Sequence, residues 1–466
     1  MVTRLGRRVL RGLRGLAGLF AVLLLVAVAW LCSNLIDSAP TPRPQALVMP
    51  TATLAPEQNL FFALLGITAP VGEQPAEAGR AEWQNQLQRN ATVLAERRAG
   101  RSGFSLLPSP AVPSSLPRPS GPPWVCPAEA DCPAYWLAHT TELTAQLARS
   151  EPIGQRCLQA VTDTPRFDEV WASMSPSAPL AFHAANGNLC SSWFNANAVL
   201  AAARNDRVAA LQWLTRSERL SNALLEGSRT LISKMVAASG ARRTWQTMAT
   251  LGVRDPGLAR DVMPLLQAMP AQATDSRRWM VHEAAFQHAL VDDFRTDCRT
   301  EPDPDHAWAA AGWLDHVVCG SGLGWLPNLS HTDVDKLWLD ALASVDAGPV
   351  AALSAAQVPE PSPWWRSVAW RNTFSRQAFE QGRTAYAGYL ARQADVDLHR
   401  QAVALALNVA GLPADQREAA AQAQALSPEL RSRLRWADGG HTLLAATFAE
   451  QFPGFPQRDA ICIAIP

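Results

Sequence analysis

Nine histidines and 41 acidic residues are the groups through which this chain could bind a metal or move a proton. Spacing decides which of them can act together. The densest grouping is Asp303-Pro304-Asp305-His306, followed ten residues on by Asp315-His316. On one helix His306 and His316 would project about 80° apart, close enough for paired acid–base work. Asp303, Asp305, His306, Asp315 and His316 are therefore the catalytic candidates. A structural use competes with that reading, because Asp305 also suits the N-cap of a helix whose Trp308, Leu314 and Val317 face a core.

His282 and His288, with Glu283 between them, imitate a zinc-protease helix. Two zinc ligands on one helical face need a spacing of four, whereas six residues turn His288 by about 240° from His282. His288 and Asp292 do have that spacing, but they point away from the apolar positions Trp279, Phe286, Leu290 and Phe294, so a solvated pair is expected. The run Cys319-Gly320-Ser321-Gly322-Leu323-Gly324 lacks the Lys-Ser/Thr that completes a phosphate loop, and Gly320 reads as a helix stop. No Gly-x-Ser-x-Gly elbow occurs. Among the 17 tryptophans, Trp364, Trp365 and Trp370 with Arg366 and Arg371 could form a recognition platform, though opening and packing a helix is the expectation. Neither metal nor cofactor is expected.

The eight cysteines show no Cys-x2-Cys or Cys-x4-Cys spacing, which argues against zinc. Nearest-neighbour pairing joins Cys126 to Cys132, Cys157 to Cys190 and Cys298 to Cys319, leaving Cys462 over; spacing alone does not fix connectivity.

The elements that must position these residues begin with an address. Arg4, Arg7, Arg8, Arg11 and Arg14 precede Gly15 to Ile36, an uncharged stretch long enough to cross the roughly 30 Å hydrocarbon core. The arginines place residues 1–14 in the cytoplasm and the body beyond the membrane. Ala27-Val28-Ala29 has the form of a cleavage site, yet the apolar run continues through Trp30, Leu31, Leu35 and Ile36, as a retained span requires. Residues 37–56 are Pro-rich and read as an extended tether lifting the body off the membrane. Residues 57–99 read as helices, residues 100–133 as a Pro-rich linker or surface-hugging loop, and residues 134–466 as a helical domain.

Apolar periodicity in that domain is helical. Val334, Leu337, Trp338, Ala341, Leu342 and Val345 form one stripe, with Thr332 and Asp335 as a capping box. Leu398, Ala402, Leu405 and Val409 form another, and Leu224, Leu225, Ser228, Leu231, Ile232, Met235 and Val236 a third. Arg207 to Arg219 followed by Ser221 to Ser239 reads as a helical hairpin. Period-2 runs and Asn-Gly or Asp-Gly hairpin signals between apolar alternations are not apparent, so the fold class is all-α, an irregular multi-helix bundle or α-solenoid behind one transmembrane helix.

At 48% hydrophobic and 18% charged the chain can bury a proper core. Setting aside the five N-terminal arginines leaves 36 basic against 41 acidic residues, a balance that argues against nucleic acid as a partner. Only Lys234 and Lys336 are lysines, a bias that fits a GC-rich bacterial source. Together these readings describe a single-pass protein of a bacterial inner membrane, its N-terminus cytoplasmic and its body periplasmic. The expected partners are the membrane, through residues 15–36, and an unidentified envelope protein. The alternative is an envelope hydrolase acting on cell wall or lipid through the Asp/His residues near 303–316.

Overall fold

In the computed structural model, the structure describes residues 2–98, 116–127, 131–171, 183–267, 269–297, 325–346, 372–424, 426–448 and 461–465. Helix α1 (Val2–Leu35) contains Gly15–Leu35, 21 residues with a mean hydropathy of 2.6 and none of its most apolar stretch buried. It is long and apolar enough to cross a membrane. The rest is a multi-helix bundle.

Short helices α2 (Leu60–Leu65) and α3 (Pro75–Arg98) cross so closely that a Cβ on Gly79 would lie 1.8 Å from the Phe62 carbonyl oxygen. Next come α4 (Cys132–Ala138), α5 (Thr140–Arg149) and α6 (Glu151–Asp163). The centre is a triple packing of α7 (His183–Ala203), α8 (Arg207–Gly227) and α9 (Leu231–Gly252), against which α2 and α6 also lie. Where these three helices meet, Ser191, Ser217 and Thr244 share hydroxyl hydrogen bonds of 2.8–3.3 Å and Asn195 donates to Thr244. Small hydroxylated residues let the backbones approach while satisfying each other's polar atoms.

Helix α10 (Pro256–Val262) follows an Asp255 N-cap. Helices α11 (Arg277–Asp297) and α12 (Pro327–Asp346) pack as a pair, and the long α13 (Thr373–Val409) lies along α9. The expected stripe Leu398, Ala402, Leu405 and Val409 is fully buried there. Burying one such leucine stabilises by roughly 1.5–3 kcal/mol. Helices α14 (Ala414–Gln422) and α15 (Pro428–Arg433) follow.

Three antiparallel strands then form a small sheet in the order β1 (Leu434–Ala437), β2 (Thr442–Ala445), β3 (Ile461–Ala464), with Leu434 opposite Ala445 and Leu443 opposite Ile463. The sequence reading passed over this hairpin. Its signal is Asp438-Gly439, where Asp438, Gly439 and Gly440 all have positive φ (52°, 63° and 96°), the conformation Asp-Gly favours. Strands of four residues show too few alternations to register as a period.

Three further expectations need correction. The segment after α1 does not stand off the body. Leu47 is fully buried, the 3-10 turn Gln45–Leu47 packs on α11 and α12, and the Thr53 amide and hydroxyl both donate to Asp168. Prolines make this segment extended, but buried partners hold it flat. Thr332 does not cap α12, which begins a turn earlier. Its N-terminus is capped from outside by Asp37, whose carboxylate accepts from the amides of Asn328 and Leu329 at 2.9 and 3.1 Å. Finally, the break between α8 and α9 falls after Gly227 rather than near residue 220, and Ile232 is half exposed instead of joining an apolar stripe. A Cβ on Gly227 would sit 1.9 Å from the Phe167 carbonyl oxygen, and Thr230 accepts from the Ser233 amide to restart the helix.

Among the described residues two disulfides are formed, Cys126–Cys132 and Cys157–Cys190, with Cα separations of 5.5 and 5.3 Å. Cys32 and Cys462 are free and exposed. Cys298 and Cys319 lie outside the described residues.

Candidate functional site

Four titratable side chains line up across the α11–α12 pair. Asp335 Oδ1 is 2.8 Å from His288 Nε2, His288 Nδ1 is 2.6 Å from His331 Nδ1, and His331 Nε2 is 3.2 Å from Asp292 Oδ1. The side chains of Asp335 and His288 are 10% and 7% exposed, His331 is 25% exposed and Asp292 70%. The row therefore runs from the interior to the surface.

Hydrogen-bond chemistry places the protons. An ionised carboxylate only accepts, so each Nε2 carries a proton and donates it. Between the facing Nδ1 atoms one ring must donate and the other accept. With both carboxylates ionised, this pattern requires three ring protons across two imidazoles whose planes are 15° apart. Burial lowers the pKa of His288, and the positive charge of Arg43 lowers it further, while Asp335 opposes both.

This arrangement overturns the solvated His288–Asp292 pair. His288 is buried, and Asp292 is reached through His331. Leu290 is 40% exposed. Because α11 is covered by α12 on one side and by α9 and α3 on others, a single-stripe reading of its sequence picks the wrong boundary. The sequence did hold a signal: Asp335 sits beside Val334 and three residues before Trp338, a carboxylate on a core stripe.

The nitrogens of His288 and His331 are too close to share a metal, since two nitrogens on one tetrahedral zinc lie roughly 3.3 Å apart. Among the described residues, no group of three or more His, Cys, Asp or Glu is set to hold one. His282 contacts Glu283 (3.4 Å) and the edge of Trp171.

A second cluster joins Glu169, His183 and Ser233. Ser233 Oγ and Glu169 Oε1 both approach His183 Nε2, at 3.1 and 3.0 Å, and His183 Nδ1 has no partner. Nucleophilic catalysis needs the hydroxyl and the carboxylate on opposite ring nitrogens. This geometry serves structure instead. Glu169 also accepts from the amides of Arg229 and Thr230 at 2.6 and 2.8 Å, which satisfies the backbone of the α8–α9 break. Burial raises its carboxyl, but His183, Ser233 and the Thr230 amide outweigh that and hold it down to about 2. Beside it, Arg229 forks onto Asp168 at 2.6 and 2.9 Å and donates to the carbonyls of Pro50 and Thr51. No spacing in the sequence connects residues 168 and 229.

Three more titratable side chains are buried, Glu218, His399 and Lys234. Glu218 accepts from Trp245 Nε1 at 2.9 Å, and burial pushes its carboxyl up to about 7. Burial, reinforced by Arg242, pushes His399 down to about 3. Lys234, fully buried, donates to the carbonyls of Leu225 and Gln272 at 2.5 and 3.0 Å, and burial lowers it to about 7.

A pH dependence of stability follows. His399 binds its proton more weakly folded than unfolded, so its contribution is intact above about pH 6.5 and is lost as pH falls toward 3. Glu169 adds a loss below about 4.5, toward 2. Glu218 acts oppositely: its stabilisation is complete below about 4.5 and fades as pH rises through 7. Between 6.5 and 4.5 His399 and Glu218 therefore oppose each other, and below 4.5 only losses remain. The urea midpoint is expected to change little from pH 6.5 to 4.5 and to fall steeply below that. His399→Leu should make the midpoint rise on acidification to pH 4.5; a midpoint that falls in the variant as in the parent would contradict this account.

The catalytic candidates Asp303, Asp305, His306, Asp315 and His316, the Cys319–Gly324 run and the Trp364, Trp365 and Trp370 group all lie outside the described residues. Comparison with family models, curated proteins and solved structures gives no match to this chain.

Proposed function

We propose that the chain is a single-pass protein of a bacterial inner membrane, its N-terminus in the cytoplasm, whose periplasmic helical body binds another envelope protein. It would serve as a complex subunit, an assembly factor or a protective protein against a toxin. The observation that carries this reading is the junction between the apolar helix and the body. Asn34, in the last turn of α1, is fully buried and accepts from the Asn372 amide at 2.9 Å. Asp37 caps α12, and Asn328 donates to the Ser38 carbonyl at 2.7 Å. A body bolted to its anchor presents one fixed set of surfaces, which suits docking.

Other features support the reading. The five arginines ahead of the apolar stretch favour this orientation. Two disulfides suit an oxidising compartment. Glu169, Glu218, Lys234 and the His288–Asp335 pair are each engaged in contacts that hold helices or their breaks together. Exposed apolar side chains on the body include Val208 (66%) at the start of α8 and Ile232 (51%) at the start of α9.

Photo-crosslinking from Val208 and Ile232 in intact cells should yield discrete heteromeric products, while a phosphatase fused at the C-terminus should be active only on the exported side. If crosslinking gives a featureless smear and solubilised membranes yield no stable complex, the binding role fails.

A further inference from the structure

We propose that the His288–His331 pair is an acid-operated latch that holds the strap, residues 34–47, against the α11–α12 pair. This goes beyond the binding role and does not depend on it.

The strap touches these helices at successive points. Asp37 caps the start of α12. Thr41 Oγ1 lies 3.3 Å from Thr332 Oγ1, the residue next to His331. Arg43 acts on His288 through its charge. The turn Gln45–Leu47 sits on both helices and buries Leu47. The imidazole pair is thus a tie between α11 and α12 beneath the strap.

Its charge balance is specific. With three ring protons, the pair carries one positive charge between Asp335 and Asp292. A fourth proton removes the only acceptor between the rings and sets two N–H groups against each other across 2.6 Å. It also leaves two imidazolium charges beside Arg43. His331, the more exposed ring and already hydrogen-bonded to Asp292, is the one able to swing toward solvent. Its departure leaves His288–Asp335 and Trp338–Gln287 joining the two helices but frees the first turns of α12, which hold Thr332 and the strap.

Glu283, Asp333, Glu82 and Lys234 on the surrounding elements are engaged elsewhere. Glu283 of α11 accepts from Tyr386 of α13, which accepts from Gln287, and Gln287 in turn accepts from Trp338. Asp333 of α12 accepts from Asn372. Glu82 of α3 pairs with Arg89 of the same helix. On α9, Lys234 is taken by backbone carbonyls.

Hydrogen exchange of the full-length protein in lipid nanodiscs tests the latch. Corrected for intrinsic rates, exchange of strap amides should accelerate at least tenfold between pH 7.5 and 5, with α7 to α9 unchanged. His331→Asn, which cannot take up the proton, should keep the strap protected at both values. Unchanged wild-type protection would overturn the latch, and so would equal acceleration in the variant or parallel loosening of α7 to α9. Should the variant not fold, imidazole nitrogen NMR of the wild type decides. Both Nε2 protonated, with one proton shared between the Nδ1 atoms at pH 7.5, is the expected result; two independently titrating rings would overturn it.

Discussion

Arg229→Ala should lower the stability of the full-length protein by about 3–5 kcal/mol, the range for breaking a buried ion pair by removing one partner. The Arg229 and Asp168 side chains are 5% and 8% exposed, so neither can turn to water when the other is lost. The guanidinium also donates to the Pro50 and Thr51 carbonyls, and truncation leaves these acceptors and Asp168 Oδ1 without its donations and the carboxylate without its counter-charge. Asp168 is held at the same time by Thr53, and its main chain by Asn59, so the loss spreads into the Pro50 to Thr53 segment and the start of α2. Urea unfolding in detergent measures the effect. The double variant Arg229→Met with Asp168→Asn should recover much of it, since no uncompensated charge remains. A loss below about 1 kcal/mol for Arg229→Ala would show that water reaches the pair.

The second large effect is expected at Cys157–Cys190. Both residues are completely buried, and the bond joins α6 to α7 across 33 residues. Closing a loop of that length restricts the unfolded chain by roughly 3–4 kcal/mol, against about 2 for the six-residue separation of Cys126–Cys132. Replacing both cysteines of the longer pair by alanine should therefore destabilise more than the same change at the shorter one, as read from paired thermal or urea midpoints. Equal effects would mean that native-state contacts, not loop closure, govern the difference.

Much of the helical architecture was legible because its cause is local. The Leu398 to Val409 stripe and the 15–36 apolar run each follow from residues within a few turns of one another. Nearest-neighbour pairing also found both described disulfides. What escaped depends on distant partners. Asp37 caps a helix whose first residues lie 291 positions away in sequence, and Arg229 meets an aspartate 61 positions away. In both, an isolated polar residue gives no periodic signal. His288 failed differently: its helix is buried on more than one side, so polarity alone could not reveal which face held water. The proposed latch was half visible as a histidine with an acidic residue four positions on, but its second ring comes from another helix.

The bolted end of α1 has a mechanical corollary for a span that crosses a bilayer. A helix tilts to match its hydrophobic length to the lipid around it. With Asn34 and Asp37 fixed to the body, that tilt cannot be absorbed by a slack joint. In such a span the whole bundle would lean with its mast, and the thickness of the surrounding lipid would set the angle at which the body stands.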